Sequence, residues 1–192
     1  LKRAFLIQDN AEISLEANPD DLSAAYLQEL KAIGFNRISI GMQSANSNEL
    51  KLFNRRHDSM TVQQAVAAAR SATFDNLSLD LIFGSPIQTL DLWRKTLQSA
   101  IELEPDHISA YNMILKGGTA LTNMVDTGQL PTPDDDLAAD MYDLLTEMLD
   151  GAGYQQYEIT NWSREGYESR HNLQYWRYWP YLGLGPGAHG FA

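Results

Sequence analysis

Short apolar, β-branched runs alternate along this chain with longer amphipathic stretches, and that alternation predicts a parallel sheet wrapped by helices. The predicted strands are Glu12–Ala17, Arg37–Met42, Leu77–Phe83, His107–Ile114 and Gln155–Thr160. Asn18-Pro19-Asp20 breaks the first, and Asp20 or Asp21 is placed to cap a helix that runs to Ile33 and ends at Gly34. Further helices are expected over Asn48–Phe53, Thr61–Thr73, Thr89–Leu103 with Thr89 as its cap, and Asp134–Asp150. Between His107–Ile114 and Asp134, a long polar loop is expected from Lys116 to Pro133.

Each strand after the first follows a helical stretch, so four right-handed β-α-β crossovers are implied. Five strands wound in one sense describe an arc of a barrel, whereas a closed eight-fold barrel takes about 250 residues. An open dinucleotide-binding sheet would announce itself with a GxGxxG first turn, and this 192-residue chain has none. The expected fold is therefore α/β, a partial (β/α) barrel of about five parallel strands with outer helices. The pattern fails after residue 161, where aromatics concentrate: 10 of the 19 lie in residues 154–192. The expected division is a partial barrel over 1–161 and an aromatic-rich barrel-end segment over 162–192.

The net charge of −11 arises mainly in the second half, where residues 97–192 carry 14 acids and 4 bases. Such a surface repels phosphate backbones, so nucleic acid is not an expected partner. There is no cysteine, hence no disulfide and no thiolate metal site from this chain. No apolar run is long enough for a signal peptide or membrane span, so a cytoplasmic location is expected. The first residue is Leu and the last six read GAHGFA, a Gly-rich turn, so both ends read as cut from a longer chain.

Ligands of a parallel α/β barrel bind at the carboxyl ends of its strands. The polar groups there are Glu16, Gln43, Asp80, Tyr111 with Asn112, and Glu158 with Thr160; Arg55 follows Gln43 on the next helix. Asp80 interrupts the apolar LSLDLIF, where an ionised carboxylate is costly unless paired. It either lines a ligand site or is satisfied structurally by amides or an arginine. Glu16 either faces ligand or caps the Asn18-Pro19 turn, and Arg55 has the adjacent Arg56 as a rival for an inward role. Together these groups suit a small zwitterion carrying a ribose, with Arg taking its carboxylate. The run Asp134-Asp135-Asp136 is better explained by the helix dipole than by a metal.

The motifs EISLEANP, FNRISIGMQS, NRRH, LSLDLIFGSPIQT, GQLPTPDDD, GYQQYEITNW, HNLQYW and YLGLGPGAHG resemble a family. It is the heme-chaperone branch of the radical S-adenosylmethionine (SAM) proteins related to oxygen-independent coproporphyrinogen III oxidase. The resemblance covers nearly all of residues 12–190. It implies a radical-SAM barrel whose first two strands, CxxxCxxC loop for a [4Fe-4S] cluster, glycine-rich SAM loop and C-terminal domain have no counterpart here. KGGT at Lys116–Thr119 departs from the family, which usually places a glutamate and a proline there.

The resemblance implies SAM contacts at Glu16, Gln43, Arg55 and Asp80, with Tyr111 to Ile114 lining the same cleft. It also implies a heme contact at His171, in HNLQYW, beside Tyr175 and Trp176. The alternative for His171 is a residue that packs the barrel end. The function implied is delivery of heme to a client haemoprotein; the rival is oxidative decarboxylation of coproporphyrinogen III. With its first two strands missing, the sheet is expected to expose the Glu12–Ala17 edge, a liability for association, and a homodimer is among the expected partners.

Overall fold

The computed structural model of the chain describes residues 5–192. Six strands form one mixed sheet: β1 (Ser14–Ala17), β2 (Arg37–Gln43), β3 (Leu77–Phe83), β4 (His107–Asn112), β5 (Gln155–Glu158) and β6 (Asn161–Ser163). Their spatial order is β1-β2-β3-β4-β6-β5. The first four are parallel, while β6 runs antiparallel to both β4 and β5.

Five all-parallel strands were expected, and this is corrected: the fourth crossover does not set β5 beside β4. The place is taken by β6, three residues long, which brings Trp162 into register with Ile108 and buries its indole edge-on to Tyr142. Burying that ring outweighs the pairing of Gln155 and Gln156, which are exposed. The hairpin turn between β5 and β6 is tied by the Glu158 carboxylate, which accepts from the Thr160 N–H and hydroxyl at 2.9 and 2.8 Å and from the Asn161 amide. β6 also runs across the expected division at 161/162.

The helices are α1 (Ala24–Ala32), α2 (Ser47–Leu52), α3 (Ser59–Ser71), α4 (Leu90–Glu102), α5 (Ala120–Asp126), α6 (Asp135–Gly151) and α7 (Arg170–Trp176). Ser23, rather than Asp20 or Asp21, caps α1 by accepting from Tyr26 N–H. Pro19 fixes its own φ and draws the two aspartates into a 3-10 turn, Pro19–Asp21. Thr89 caps α4 as expected, and Asp134 caps α6 through the N–H groups of Asp136 and Leu137. α5 replaces part of the expected loop; it buries no residue, so no apolar periodicity marks it.

Strand alternation gives the sheet two chemically different faces. On one, Leu15, Ile38, Leu77 and Ala17, Ile40, Leu79, Ile108, Trp162 lie in register and form the core with Phe74, Trp93, Leu97, Met141 and Leu145 from the helical layer. On the other, Ser14, Arg37 and Glu16, Ser39, Ser78, His107, Ser163 lie in register, as do Asp80, Ser109 and Asn161. α7 docks below this polar face. The Ser169 N–H donates to the Tyr157 hydroxyl oxygen of β5 at 3.3 Å, and the next N–H, that of Arg170, donates to Glu12, just before β1, at 3.2 Å. Two consecutive residues thus touch both margins of the sheet.

Candidate functional site

At the carboxyl end of β2 the backbone register with β3 shifts between Ile40 and Gln43, and Gln43 takes a left-handed φ of 63°. A non-glycine residue there stores about 1–3 kcal/mol of strain, held by the surrounding structure. The irregularity turns the buried Gln43 side chain back over Gly41, where a Cβ would meet its Nε2 at 2.6 Å. Gly41 is small because the amide needs that space.

α2 ends in a second left-handed residue, Asn54 (φ 55°), and the Arg55 N–H returns to the Leu50 carbonyl at 2.8 Å. This turn separates the two arginines. Arg56 points outward to Asp20 at 2.7 Å, whereas Arg55 is drawn inward, its Nη1 donating to Asn18 Oδ1 at 2.8 Å. His57 anchors the segment to β2 through a ring nitrogen 3.1 Å from the Met42 carbonyl. Arg55 then lines a cleft of about 490 Å³ with Ile82, Tyr111, Ile114 and Lys116. Ile114 was expected inside the fourth strand; β4 ends at Asn112, and Ile114 stands on the loop beyond it, 86% exposed.

Asp80 lies one register step below this cleft, where Ser39 Oγ donates to its Oδ1 at 2.9 Å. Burial pushes its carboxyl above the ordinary range; hydrogen bonds from Ser39 and Ser109 oppose this, Glu16 adds to it and Arg37 lowers it. Burial and then the Asp80 charge push the Tyr111 phenol up, with smaller contributions from Glu158 and Glu16. The carboxylates of Glu16 and Asp80, from two strands, thus lie near enough to Tyr111 on a third to act on its phenol, and Glu16 itself is exposed. The structure brings Arg55, Tyr111 and Ile114 into one cleft; Asp80 and Glu16 lie outside its lining but near enough to Tyr111 to act on its phenol, and Gln43 is buried at the end of β2, outside that lining.

His171 is not part of this group. It lies in the first turn of α7, exposed, with Nε2 3.0 Å from the Tyr175 hydroxyl, in a different pocket that also holds His189. The three aspartates at 134–136 serve the start of α6, and no cluster of three or more potential metal ligands occurs among the described residues.

Several residues of the polar face were not singled out from sequence. His107 is buried, with Nδ1 2.8 Å from Ser78 Oγ and Nε2 2.7 Å from the Tyr157 hydroxyl. The Tyr157 oxygen already accepts from Ser169 N–H and Asn172 Nδ2, so its own proton is left for His107 Nε2, which puts the imidazole proton on Nδ1. Burial, reinforced by Arg37, pushes the imidazole down to about 3, and burial pushes the Tyr157 phenol up to about 12. The chain Ser78–His107–Tyr157–Asn172 is thus uncharged at neutral pH. Glu49, fully buried, accepts from Ser44 at 2.6 Å and Ser85 at 2.9 Å and so ties together the loops that follow β2 and β3. Alternation along RISIGMQ would have placed Arg37 on the polar face; the contacts of Glu49 span up to 36 residues and leave no local signal.

A family model described as the Radical SAM superfamily matches residues 1–100, more than half of the chain. The chain belongs to the Radical SAM superfamily. It is 42% identical over 181 residues to the mitochondrial radical S-adenosyl methionine domain-containing protein 1 of Bos taurus, covering 94% of this chain and 41% of that protein. It is 40% identical over 183 residues to the protein named heme chaperone HemW of Bacillus subtilis, covering 95% and 48%. Among solved structures it resembles the coproporphyrinogen III oxidase HemN of Escherichia coli, described as a radical SAM enzyme. The TM-score is 0.83 at 27% identity, over 99% of this chain and 46% of that one. The chain spans less than half the length of each of these proteins.

Proposed function

We propose that this chain is the SAM-binding arc of a radical-SAM protein that carries heme and hands it to a client haemoprotein. The observation that supports it best is the convergence of Arg55, Asp80, Tyr111 and Ile114, with Glu16 beside them, at the carboxyl ends of parallel strands. The donor set fits the ligand. Arg55, oriented by Asn18, takes the SAM carboxylate; Glu16 and Gln43 face its ammonium; Asp80 accepts from the ribose; Tyr111 and Ile114 cover the adenine. SAM bound here supplies a sulfonium group that is reductively cleaved in this superfamily, and this chain's residues orient and shield it.

The residues do not fit a [4Fe-4S] cluster, since the chain has no cysteine to supply thiolates. No step through the cluster is assigned to this polypeptide. The partial-barrel reading is supported by the joint at α7: a flat six-stranded sheet sets its outer strands about 24 Å apart, five spacings of about 4.8 Å. Ser169 and Arg170 nevertheless reach Tyr157 of β5 and Glu12 ahead of β1, so the sheet bends toward its polar face. On this reading residues 1–161 form the arc and 162–192 close one end, His171 contacts heme, the protein forms a homodimer, and the location is cytoplasmic.

Calorimetric titration of SAM into the full gene product, followed by transfer of bound heme to an apo-haemoprotein, tests this; SAM binding without heme transfer would overturn the chaperone reading. The likeness to HemN favours the second reading, a coproporphyrinogen III oxidase. Formation of protoporphyrinogen from coproporphyrinogen by the reconstituted protein would establish it instead.

A further inference from the structure

Asn46 opens α2 with the spacing of a capping box, an N-cap residue followed three positions later by Glu49. In that motif the glutamate turns back to the N-cap N–H. Here the Asn46 N–H donates to Ser44 Oγ at 2.9 Å instead, and the Glu49 carboxylate is left for another purpose. It is fully buried, and no ion pair reaches it among the described residues. A carboxylate in such a place is costly unless hydrogen bonds hold it. Two do: Ser44 Oγ donates to its Oε2 at 2.6 Å and Ser85 Oγ to its Oε1 at 2.9 Å. Ser44 Oγ already accepts from the Asn46 N–H, and Thr96 Oγ1 lies farther off, at 3.3 Å, so the single Ser44 proton goes to Glu49.

Each serine follows a left-handed residue at a strand exit. Ser44 comes after Gln43 (φ 63°) at the end of β2, and Ser85 after Gly84 (φ 75°), just past β3. Glu49 also sits in the helix that delivers Arg55. The residue after it, Leu50, accepts from the Arg55 N–H at 2.8 Å, and residues 52–55 line the cleft. The Glu49 side chain is thus fastened to the turn that aims Gln43, and its helix to the turn that aims Arg55. Resting on the SAM-binding reading above, which gives the ammonium to Gln43 and the carboxylate to Arg55, we propose that Glu49 is a positioning residue for the amino-acid end of SAM. Its carboxylate fixes the separation of the Gln43 amide from the Arg55 guanidinium. Asp80 and Tyr111, assigned to the ribose and adenine, are held by the β3–β4 ladder instead.

The test compares two thioethers, S-adenosylhomocysteine and methylthioadenosine, titrated calorimetrically into the full gene product and its variants. Both carry the adenosine, and only the first carries the amino-acid end. Glu49→Gln keeps the volume but leaves one acceptor for two hydroxyls. It is expected to weaken S-adenosylhomocysteine about tenfold, by loosening the charge-assisted contacts to its amino-acid end, and to leave methylthioadenosine affinity unchanged. In a variant already carrying Gln43→Ala and Arg55→Ala it should add no further loss, which a general weakening of the fold would do. Should Glu49→Gln fail to fold, Ser85→Ala removes one of the two hydroxyls and should discriminate between the probes in the same direction. Equal losses for the two probes, or none for either, would overturn the positioning role and leave the SAM reading standing. A parent that binds both probes equally, or neither, overturns the SAM reading and this assignment with it.

Discussion

The four tryptophans divide between two regions that use apolar residues in opposite ways. Trp93 and Trp162, in the sheet and its helical layer, are at most 1% exposed; Trp176 and Trp179, in the C-terminal segment, are both 53% exposed. In the first region the alternation of each strand commits one face to the core, and the helices cover that face alone. In the second, helix α7 and the Tyr181–Phe191 bridge are held by hydrogen bonds and edge-on rings, with aromatic surface left over. Apolar content therefore says where stability comes from only when a partner layer covers it, and among the described residues the C-terminal segment has none.

The largest expected effect is the sharpest form of this contrast. Trp93→Ala should cost about 3–5 kcal/mol through the cavity it leaves and the lost Nε1 bond to the Met141 carbonyl (2.9 Å), whereas Trp179→Ala should stay within about 0.5 kcal/mol. Denaturant unfolding of both variants checks this, and comparable losses would break the division. Arg55→Ala in the full gene product should weaken SAM by about 1.5–3 kcal/mol, read by calorimetry, with the unfolding curve unmoved. Asn18→Ala should weaken SAM less, and should add nothing in the Arg55→Ala background.

The pH dependence separates the regions differently. His107 has its folded-state value lowered from 6.5 to about 3, so the unfolded chain binds the extra proton first. Its contribution is complete above pH 6.5 and is lost as pH falls from there toward 3, at about 1.4 kcal/mol per unit. Unfolding free energy measured at pH 7 and pH 5 should thus fall by about 2 kcal/mol, and His107→Asn should flatten that slope whatever it does to stability. The smallest effect tests the joint. Tyr157→Phe removes the oxygen that accepts from Ser169 and Asn172, at about 1–2 kcal/mol, and amide exchange should quicken in α7 while β2 and β3 stay protected. Uniform acceleration in both regions would mean that α7 and the sheet unfold as one unit.

What the sequence disclosed follows the same line. Leu77–Phe83 was read with its true bounds and Arg37–Met42 within one residue, because a strand buried on both faces leaves a continuous local signal. The same local logic found the Thr89 cap and missed Ser23, since the Pro19 turn that displaced the cap is a matter of backbone geometry. β6 was not legible: three residues of NWS become a strand only because β4, some 50 residues away, offers an edge. At the cleft, the residue types at strand ends could be read in order. The choice between Arg55 and Arg56 is made by Asn18 and Asp20, contacts that span more than thirty residues. Ile114 was assigned to a strand because its β-branched side chain continues the apolar run, whereas the ladder stops two residues earlier.

The bond from Arg170 to Glu12 closes a loop of 158 residues. Sheet pairing from β1 to β4 involves far shorter separations, so those strands can assemble while the chain is still being made. At about 5–20 residues per second, roughly 8 to 30 seconds of synthesis separate Glu12 from its partner. Throughout that interval the latch between the segment before β1 and α7 stays open. The joint at α7 is therefore also a matter of timing: Glu12 waits for its partner until the HNLQYW helix arrives.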